Sequence, residues 1–296
     1  MSENLTVAPC WRSLLFIPAN NLRVIEKAHI RGADALILDL EDAVPVADKP
    51  AARAGLPDVI RQLHAHGASL LVRINLGLDS LANDLEAAVQ PGVSAIVVPK
   101  VEDADSLRAV ADGIAALEQQ RGLVAGSVGL LALIESPAAL FRLTEICAVP
   151  RLRGIALGSE DFSLMLGVPP TAHCLTLPCQ MLALAASAAG IKAFGLPESL
   201  ANFRDLDAYR MSATTARAMG LSGALCIHPA QVTVVNEIFA PSAKDVAWAN
   251  EVLAAWQIAQ EKGVGVVALA GQMIDKPVVE RAQGILAQLR PAQETH

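Results

Sequence analysis

Short runs of Val, Ile, Leu and Ala alternate along the chain with longer segments in which apolar residues recur at helical spacing. Residues 12–18 (RSLLFIP) precede NNLRVIEKAHIRG, 35–43 (ALILDLEDA) precede a helical stretch from about 49 to 67, and 70–75 (LLVRIN) precede SLANDLEAAVQPG. The step recurs at 95–101 (AIVVPKV), 130–136 (LLALIES), 154–161 (GIALGSED), 191–197 (IKAFGLP) and 224–229 (ALCIHP). Strands that are apolar on both faces need helices on both faces, which makes the sheet parallel. Eight such units in about 240 residues predict an α/β fold, a closed (β/α)8 TIM barrel. The alternative, an open doubly wound sheet, lacks its G-x-G-x-x-G after the first strand; Gly263 and Gly265 follow a helix and read as a turn. From Ser242 the pattern changes to an Ala-rich amphipathic helix, a Gly-punctuated apolar run (GVGVVALAGQMID) and a last helix from about Pro277 to Arg290. The predicted organisation is a barrel domain over 1–241 and a C-terminal helical extension over 242–296.

The chain has 296 residues, 53% hydrophobic, 18% charged and only 3% aromatic, so the core is built from small and branched aliphatics, as in packed α/β layers. Lys and Arg number 23 against 30 Asp and Glu, for a net charge of −7 without a basic stripe, which argues against nucleic acid as a partner. Neither a signal peptide nor a membrane span is apparent. The five cysteines, Cys10, Cys147, Cys174, Cys179 and Cys226, are odd in number and form no C-x-x-C pair. That excludes a disulfide framework and structural zinc, and makes the cytoplasm the expected location. Cys226, within ALCIHP, reads as a buried thiol.

Barrels of this kind build their sites at the C-terminal ends of the strands. Those ends carry Asp39, Glu41 and Asp42 on strand two, Arg73 and Asn75 on three, Pro99 and Lys100 on four, Glu135 on five, Glu160 and Asp161 on six and His228 on eight. Arg12 begins, rather than ends, strand one. Carboxylates converging on one mouth repel unless a cation neutralises them, and oxygen ligands without a His/Cys set favour Mg²⁺. Glu135 and Asp161, on adjacent strands, suit it; the competing reading is that they cap the helices that follow. Arg73 in an apolar strand needs an anion: a substrate, or Glu41 or Asp42 in an internal salt bridge. Lys100 is a Schiff-base amine or, more simply, one half of an ion pair. His64 and His66 read as surface residues, His228 as functional or bonded to backbone near Pro229, and Asp275 as a helix N-cap.

Taken in order, RSLLFIPANN, LILDLEDAV with KPAAR, LVRIN, VVPKVE, LIESP, LGSEDF, CIHPAQV and GQMID resemble the HpcH/HpaI aldolase and citrate lyase β-subunit superfamily, in its acyl-CoA lyase branch. The resemblance implies a (β/α)8 barrel with a C-terminal extension, in a homotrimer or dimer of trimers where one subunit's extension closes the next subunit's site. It also implies Mg²⁺ held by Glu135 of LIESP and Asp161 of GSEDF, with Glu135 also facing substrate. Arg73 of LVRIN binds the substrate's carboxylate or thioester oxygen, Asp275 of GQMID is the acid/base supplied in trans, and Arg12 and Lys100 line the site.

The implied substrates are an acyl-CoA thioester such as malyl-, citramalyl- or citryl-CoA and a 2-oxo acid, interconverted by carbon-carbon bond cleavage or formation through a thioester enolate. The sequence departs from many relatives after strand seven, where FGLPESLANFRDLD replaces an acidic run of roughly D-x-V-x-x-D. A CoA-independent, metal-dependent 2-oxo acid aldolase and a noncatalytic subunit of a lyase complex are the competing functional readings. The first usually carries an early His base, and here only His29, on a helix, lies in that region.

Overall fold

The computed structural model describes residues 11–261, 263 and 265–289. Eight strands form one parallel sheet: β1 (Ser13–Pro18), β2 (Ala35–Asp39), β3 (Leu70–Arg73), β4 (Val93–Val98), β5 (Gly129–Ile134), β6 (Leu152–Leu157), β7 (Lys192–Phe194) and β8 (Ala224–Cys226). Their order, β7-β6-β5-β4-β3-β2-β1-β8, makes β7 and β8 the two ends. A parallel bridge between Phe194 and Gly223 joins those ends, flanked by Gly195 N–H donating to Gly223 O (3.0 Å) and Ser222 N–H donating to Ala193 O (2.7 Å). The expected (β/α)8 barrel is therefore closed, with a thin seam.

Helices α1 (Leu22–Ile25), α2 (Lys49–Ala65), α3 (Leu78–Ala88), α4 (Ala104–Arg121), α5 (Pro137–Leu140), α6 (Leu143–Cys147), α7 (Ser159–Leu166), α8 (Ala172–Ala189), α9 (Leu206–Ala218) and α10 (Pro229–Phe239) connect and follow the strands. Asp103 and Asp205 cap α4 and α9 by accepting the Ser106 and Ala208 backbone N–H groups. By length and composition α8 could cross a membrane, the one such helix among the described residues. Here it packs on β6 and β7, burying Leu175, Cys179, Leu182 and Ala186.

The period of two along each strand explains the site. Leu14 on β1, Ile37 on β2, Leu71 on β3 and Leu131 and Leu133 on β5 fill the barrel interior. Their alternates, among them Leu15, Leu38, Val72 and Ile134, pack in the core under the helices. Two residues beyond Ile37, Leu71 and Leu133 the same inward rows reach Asp39, Arg73 and Glu135, so one layer of the interior is polar where the layers below are aliphatic.

Several strands end earlier than the sequence pattern indicates. Strands β2 and β3 stop at Asp39 and Arg73, and Glu160 and Asp161 lie in the first turn of α7. Glu41, Asp42 and Asn75 thus sit on the loops that follow the strands.

Arg12 is a clear correction. It precedes β1, at the N-terminal end of the barrel, where Nε lies 2.7 Å from Oδ2 of Asp34, the residue before β2, and Nη1 donates to Asn236 O on α10. Sequence order is the physical reason: parallel strands put every strand start on the face opposite the mouth. Arg12→Leu is expected to cost on the order of 2–4 kcal/mol by stranding the buried Asp34, while kcat/KM of the folded enzyme stays within about twofold. A denaturant melt and a rate measured on the same preparation check both.

The chain divides into two compact units, Met1–Phe239 and Ala240–His296. In the second, α11 (Ala243–Glu261) and α12 (Lys276–Ala287) pack through Ala249, Val252, Val279 and Ala282. The extension is not purely helical: β9 (Val267–Leu269) and β10 (Gln272–Ile274) form an antiparallel hairpin. Its turn places Ala270 at φ 48° and Gly271 at φ 80°, the left-handed pair of a tight two-residue hairpin. The last helix, expected from about Pro277 to Arg290, runs from Lys276 to Ala287; Arg290 and Cys10 lie outside the described residues.

Candidate active site

A cavity of about 430 Å³ opens at the C-terminal ends of the strands. Its polar side holds Asp39, Asp42, Arg73, Glu135, Glu160 and Asp161; its apolar side is formed by Phe16, Leu133, Leu200, Leu225 and Ile227.

Arg73 is fixed before any ligand arrives. Asp39, its register partner on β2, takes Nε at 2.7 Å and Nη2 at 2.6 Å in a bidentate pair. Asp39 also accepts the backbone N–H groups of Glu41 (2.9 Å) and Ala43 (3.0 Å). Oε2 of Glu41 lies 2.9 Å from Nη1 of Arg73, without hydrogen-bond alignment, and Asp42 Oδ2 lies 3.6 Å away. Burial alone would favour discharging the guanidinium; Asp39, then Glu41 and Asp42, outweigh it and raise the Arg73 pKa further. The guanidinium also lies over the Phe16 ring, 4.8 Å from its centroid. Arg73 is therefore in an internal salt bridge and also faces the cavity. Its principal partner is Asp39, which the sequence reading did not name, with the expected Glu41 and Asp42 beside it.

Lys100 follows β4 and adopts φ 49°, a left-handed conformation uncommon for a side chain of this size. That turn aims its backbone N–H at Glu135 Oε2, 2.6 Å away, while Nζ donates to Glu41 Oε1 at 2.6 Å. The hydrogen bond and charge of Glu41 raise the ammonium's pKa, so it is a charged ion-pair partner and not the free amine a Schiff base requires. Lys100 serves the site from beside the cavity, whose wall it does not form.

Glu135 is 6% exposed. Burial pushes its carboxyl up to about 7; the charges of Asp161 and Glu41 add to this, while the Lys100 N–H and Arg73 oppose it. Gly158 makes room for it: a Cβ there would sit 2.4 Å from Glu135 Cγ and 2.8 Å from Oε1. Asp161, in the first turn of α7, benefits from the partial positive charge of that helix end. A buried carboxylate reluctant to ionise beside a second carboxylate is a fitting place for a divalent cation. Among the described residues no group of three or more His, Cys, Asp or Glu forms a metal cage. Two carboxylates with waters and substrate oxygens is the set that suits Mg²⁺.

Sequence reading missed a supporting network. Lys49, first residue of α2, donates to Leu40 O (3.0 Å), Glu41 O (2.7 Å) and Asn75 Oδ1 (2.6 Å), holding the loop that carries Glu41. Asn75 donates to the buried Asp84, which Arg53 pairs at 2.6 Å. The signal was present: a Lys at a helix N-terminus opposes the helix dipole and needs acceptors of its own. His228 is exposed, accepts the Ala230 N–H through Nδ1 (3.2 Å) and stacks on Phe203. Burial pushes the Cys226 thiol up to about 12, which leaves it inert. Asp275, in the second unit, caps α12 by accepting the Val278 N–H at 3.4 Å.

Residues 12–229 match the model of the family described as HpcH/HpaI aldolase/citrate lyase. The chain belongs to that family. The citrate lyase β subunits of Leuconostoc mesenteroides subsp. cremoris and Escherichia coli K12 are 35% and 36% identical, each match covering 93% of this chain and 92% of the relative. A (3S)-malyl-CoA thioesterase of Cereibacter sphaeroides is 33% identical, with 94% of both chains covered. Among solved structures, CitE from Mycobacterium tuberculosis, in complex with magnesium, acetoacetate and coenzyme A, superposes with a TM-score of 0.73 at 30% identity, covering 94% of this chain and 97% of that one. Membership in the HpcH/HpaI family makes this protein an enzyme, a lyase of the citrate lyase β-like, acyl-CoA type.

Proposed function

We propose that the protein is a Mg²⁺-dependent carbon-carbon lyase that cleaves, or forms, a β-hydroxyacyl-CoA such as malyl-, citramalyl- or citryl-CoA, giving acetyl-CoA and a 2-oxo acid. The observation that carries this reading is one cavity holding both the Glu135 and Asp161 carboxylates and an arginine already clamped in place by Asp39. The magnesium in the complex of CitE from M. tuberculosis supports a divalent cation here.

Glu135 and Asp161 would hold the cation, which would supply Lewis-acid chemistry to the 2-oxo acid fragment. In cleavage the β-hydroxyl gives its proton to solvent, its oxygen forms the carbonyl of the 2-oxo acid as the adjacent carbon-carbon bond breaks, and that bond's electron pair passes into a thioester enolate. Asp39 commits Nε and one N–H of Nη2 of Arg73, leaving other N–H donors to stabilise the developing oxyanion. Protonation of the enolate carbon falls to Asp275, delivered from another subunit of a homotrimer or dimer of trimers.

The test is an assay of malyl-, citramalyl- and citryl-CoA with and without Mg²⁺, scoring acetyl-CoA and 2-oxo acid. The malyl-CoA thioesterase relatives favour a second reading, thioester hydrolysis, which the same assay detects as free CoA and hydroxy acid. Asp275→Asn is expected to lower the lyase rate by about 10²–10⁴-fold without altering stability, because Asn caps a helix as well as Asp does. Mixing Asp275→Asn with Glu135→Gln subunits restores activity when the site is shared between chains; no recovery refutes delivery in trans.

A further inference from the structure

The proposed lyase reading leaves open which 2-oxo acid is released, and the two sides of the cavity bear on that choice. The lining includes five acidic side chains, Asp39, Asp42, Glu135, Glu160 and Asp161, and one cation, Arg73. Arg73 is already matched in charge by Asp39 and Glu41, its remaining N–H donors being those the lyase reading gives to the developing oxyanion, and the nearby Lys100 ammonium is matched by Glu41 at 2.6 Å. A divalent cation held by Glu135 and Asp161 would offset the charge of the first carboxylate of a 2-oxo acid.

A second carboxylate on the same fragment then has two destinations. One is the acidic side, where Ser159 offers a single hydroxyl but five carboxylates add like charge to like charge. The other is the wall made by Phe16, Leu133, Leu200, Leu225 and Ile227, which offers it no side-chain hydrogen-bond donor.

We propose that the cavity selects a 2-oxo acid with a single carboxylate, bearing hydrogen or a short alkyl group where a dicarboxylic 2-oxo acid bears its second acid, and that Leu200, Leu225 and Ile227 set this preference. The proposal rests on the lyase reading, and its test separates the two. Steady-state kcat/KM is measured for malyl-, citramalyl- and citryl-CoA, and Mg²⁺-dependent binding of glyoxylate, pyruvate and oxaloacetate is measured by calorimetry.

The expected result is kcat/KM at least about 100-fold lower for citryl-CoA than for the better of the other two, with oxaloacetate the weakest of the three acids. The same preference in binding with no thioester cleaved keeps this proposal and overturns the lyase reading. Citryl-CoA turned over within about tenfold of citramalyl-CoA, or oxaloacetate bound as tightly as pyruvate, overturns this proposal and leaves the lyase reading standing. Failure of every thioester and every acid overturns both.

Ile227 is 44% exposed, so Ile227→Arg tests the wall at a position where a long cation reaches solvent. It is expected to narrow the citramalyl-to-citryl ratio by about tenfold or more. A ratio unmoved in a folded variant refutes the assignment of the wall to specificity, since a merely structural role lowers both rates together.

Discussion

Replacement of Glu135 by glutamine is expected to abolish Mg²⁺-dependent turnover, by about 10³-fold or more, and at the same time to raise the melting temperature of the metal-free protein at pH 8. The two effects share one cause. Burial, with Asp161 and Glu41 adding to it, lifts the Glu135 carboxyl from 4.5 to about 7. The folded state thus holds this proton more tightly than the unfolded state, and stability declines as pH rises from about 4.5 to about 7. Above pH 7 the ionised group costs the metal-free fold roughly 3 kcal/mol, equivalent to a melting shift of roughly 6–12 °C. Glutamine removes that cost while retaining an oxygen for the Lys100 N–H. Below pH 4.5 variant and wild type should converge. Adding Mg²⁺ at pH 8 reverses the order, stabilising the wild type, whose carboxylate it neutralises, and leaving Glu135→Gln unmoved. Melts at two pH values with and without Mg²⁺ decide it; a variant that Mg²⁺ still stabilises removes Glu135 from the metal site.

That the barrel and most of its mouth could be read from the sequence has a physical basis. Parallel strands covered by helices on both faces leave aliphatic runs, and the polar residues that interrupt those runs do so at the mouth, so Arg73, Glu135 and Asp161 stood out. The misplacements are equally instructive. Strand order already put Arg12 at a strand start, and only the family resemblance moved it to the mouth; the structure sides with order. Asp39 was passed over as the partner of Arg73 in favour of Glu41 and Asp42, although register pairs Asp39 with Arg73 and both point inward. The hairpin at 267–274 was hidden because Ala270 occupies a left-handed turn position where Asn or Asp is the usual signal. Lys49 was read as an ordinary helix residue because two of its three acceptors are backbone carbonyls, and only its place at a helix N-terminus hinted at them.

Gly223→Ala is expected to be the most damaging small substitution in the barrel wall, costing at least ~3 kcal/mol and leaving much of the protein unfolded or aggregated. The added Cβ would lie 1.9 Å from the carbonyl oxygen of Arg12 and 2.6 Å from its carbonyl carbon, both backbone atoms that no side-chain rotation can clear. The backbone is held from both sides. The Ala224 N–H donates to Arg12 O at 2.8 Å, joining β8 to β1, and Gly223 O accepts the Gly195 N–H at 3.0 Å, joining β8 to β7. Relieving the overlap means lengthening one of these, and the β7–β8 side has a single bridge to lose. The consequence reaches the mouth, because Leu225 on β8 and Ile227 just after it line the cavity. Gly55→Ala, on α2, provides the control: a Cβ there meets nothing within 4 Å, and the change is expected to add up to ~1 kcal/mol by helix propensity. Equal chemical-denaturation midpoints for the two variants would show that the seam between β7 and β8 yields without cost and that closure of this barrel does not depend on the missing side chain.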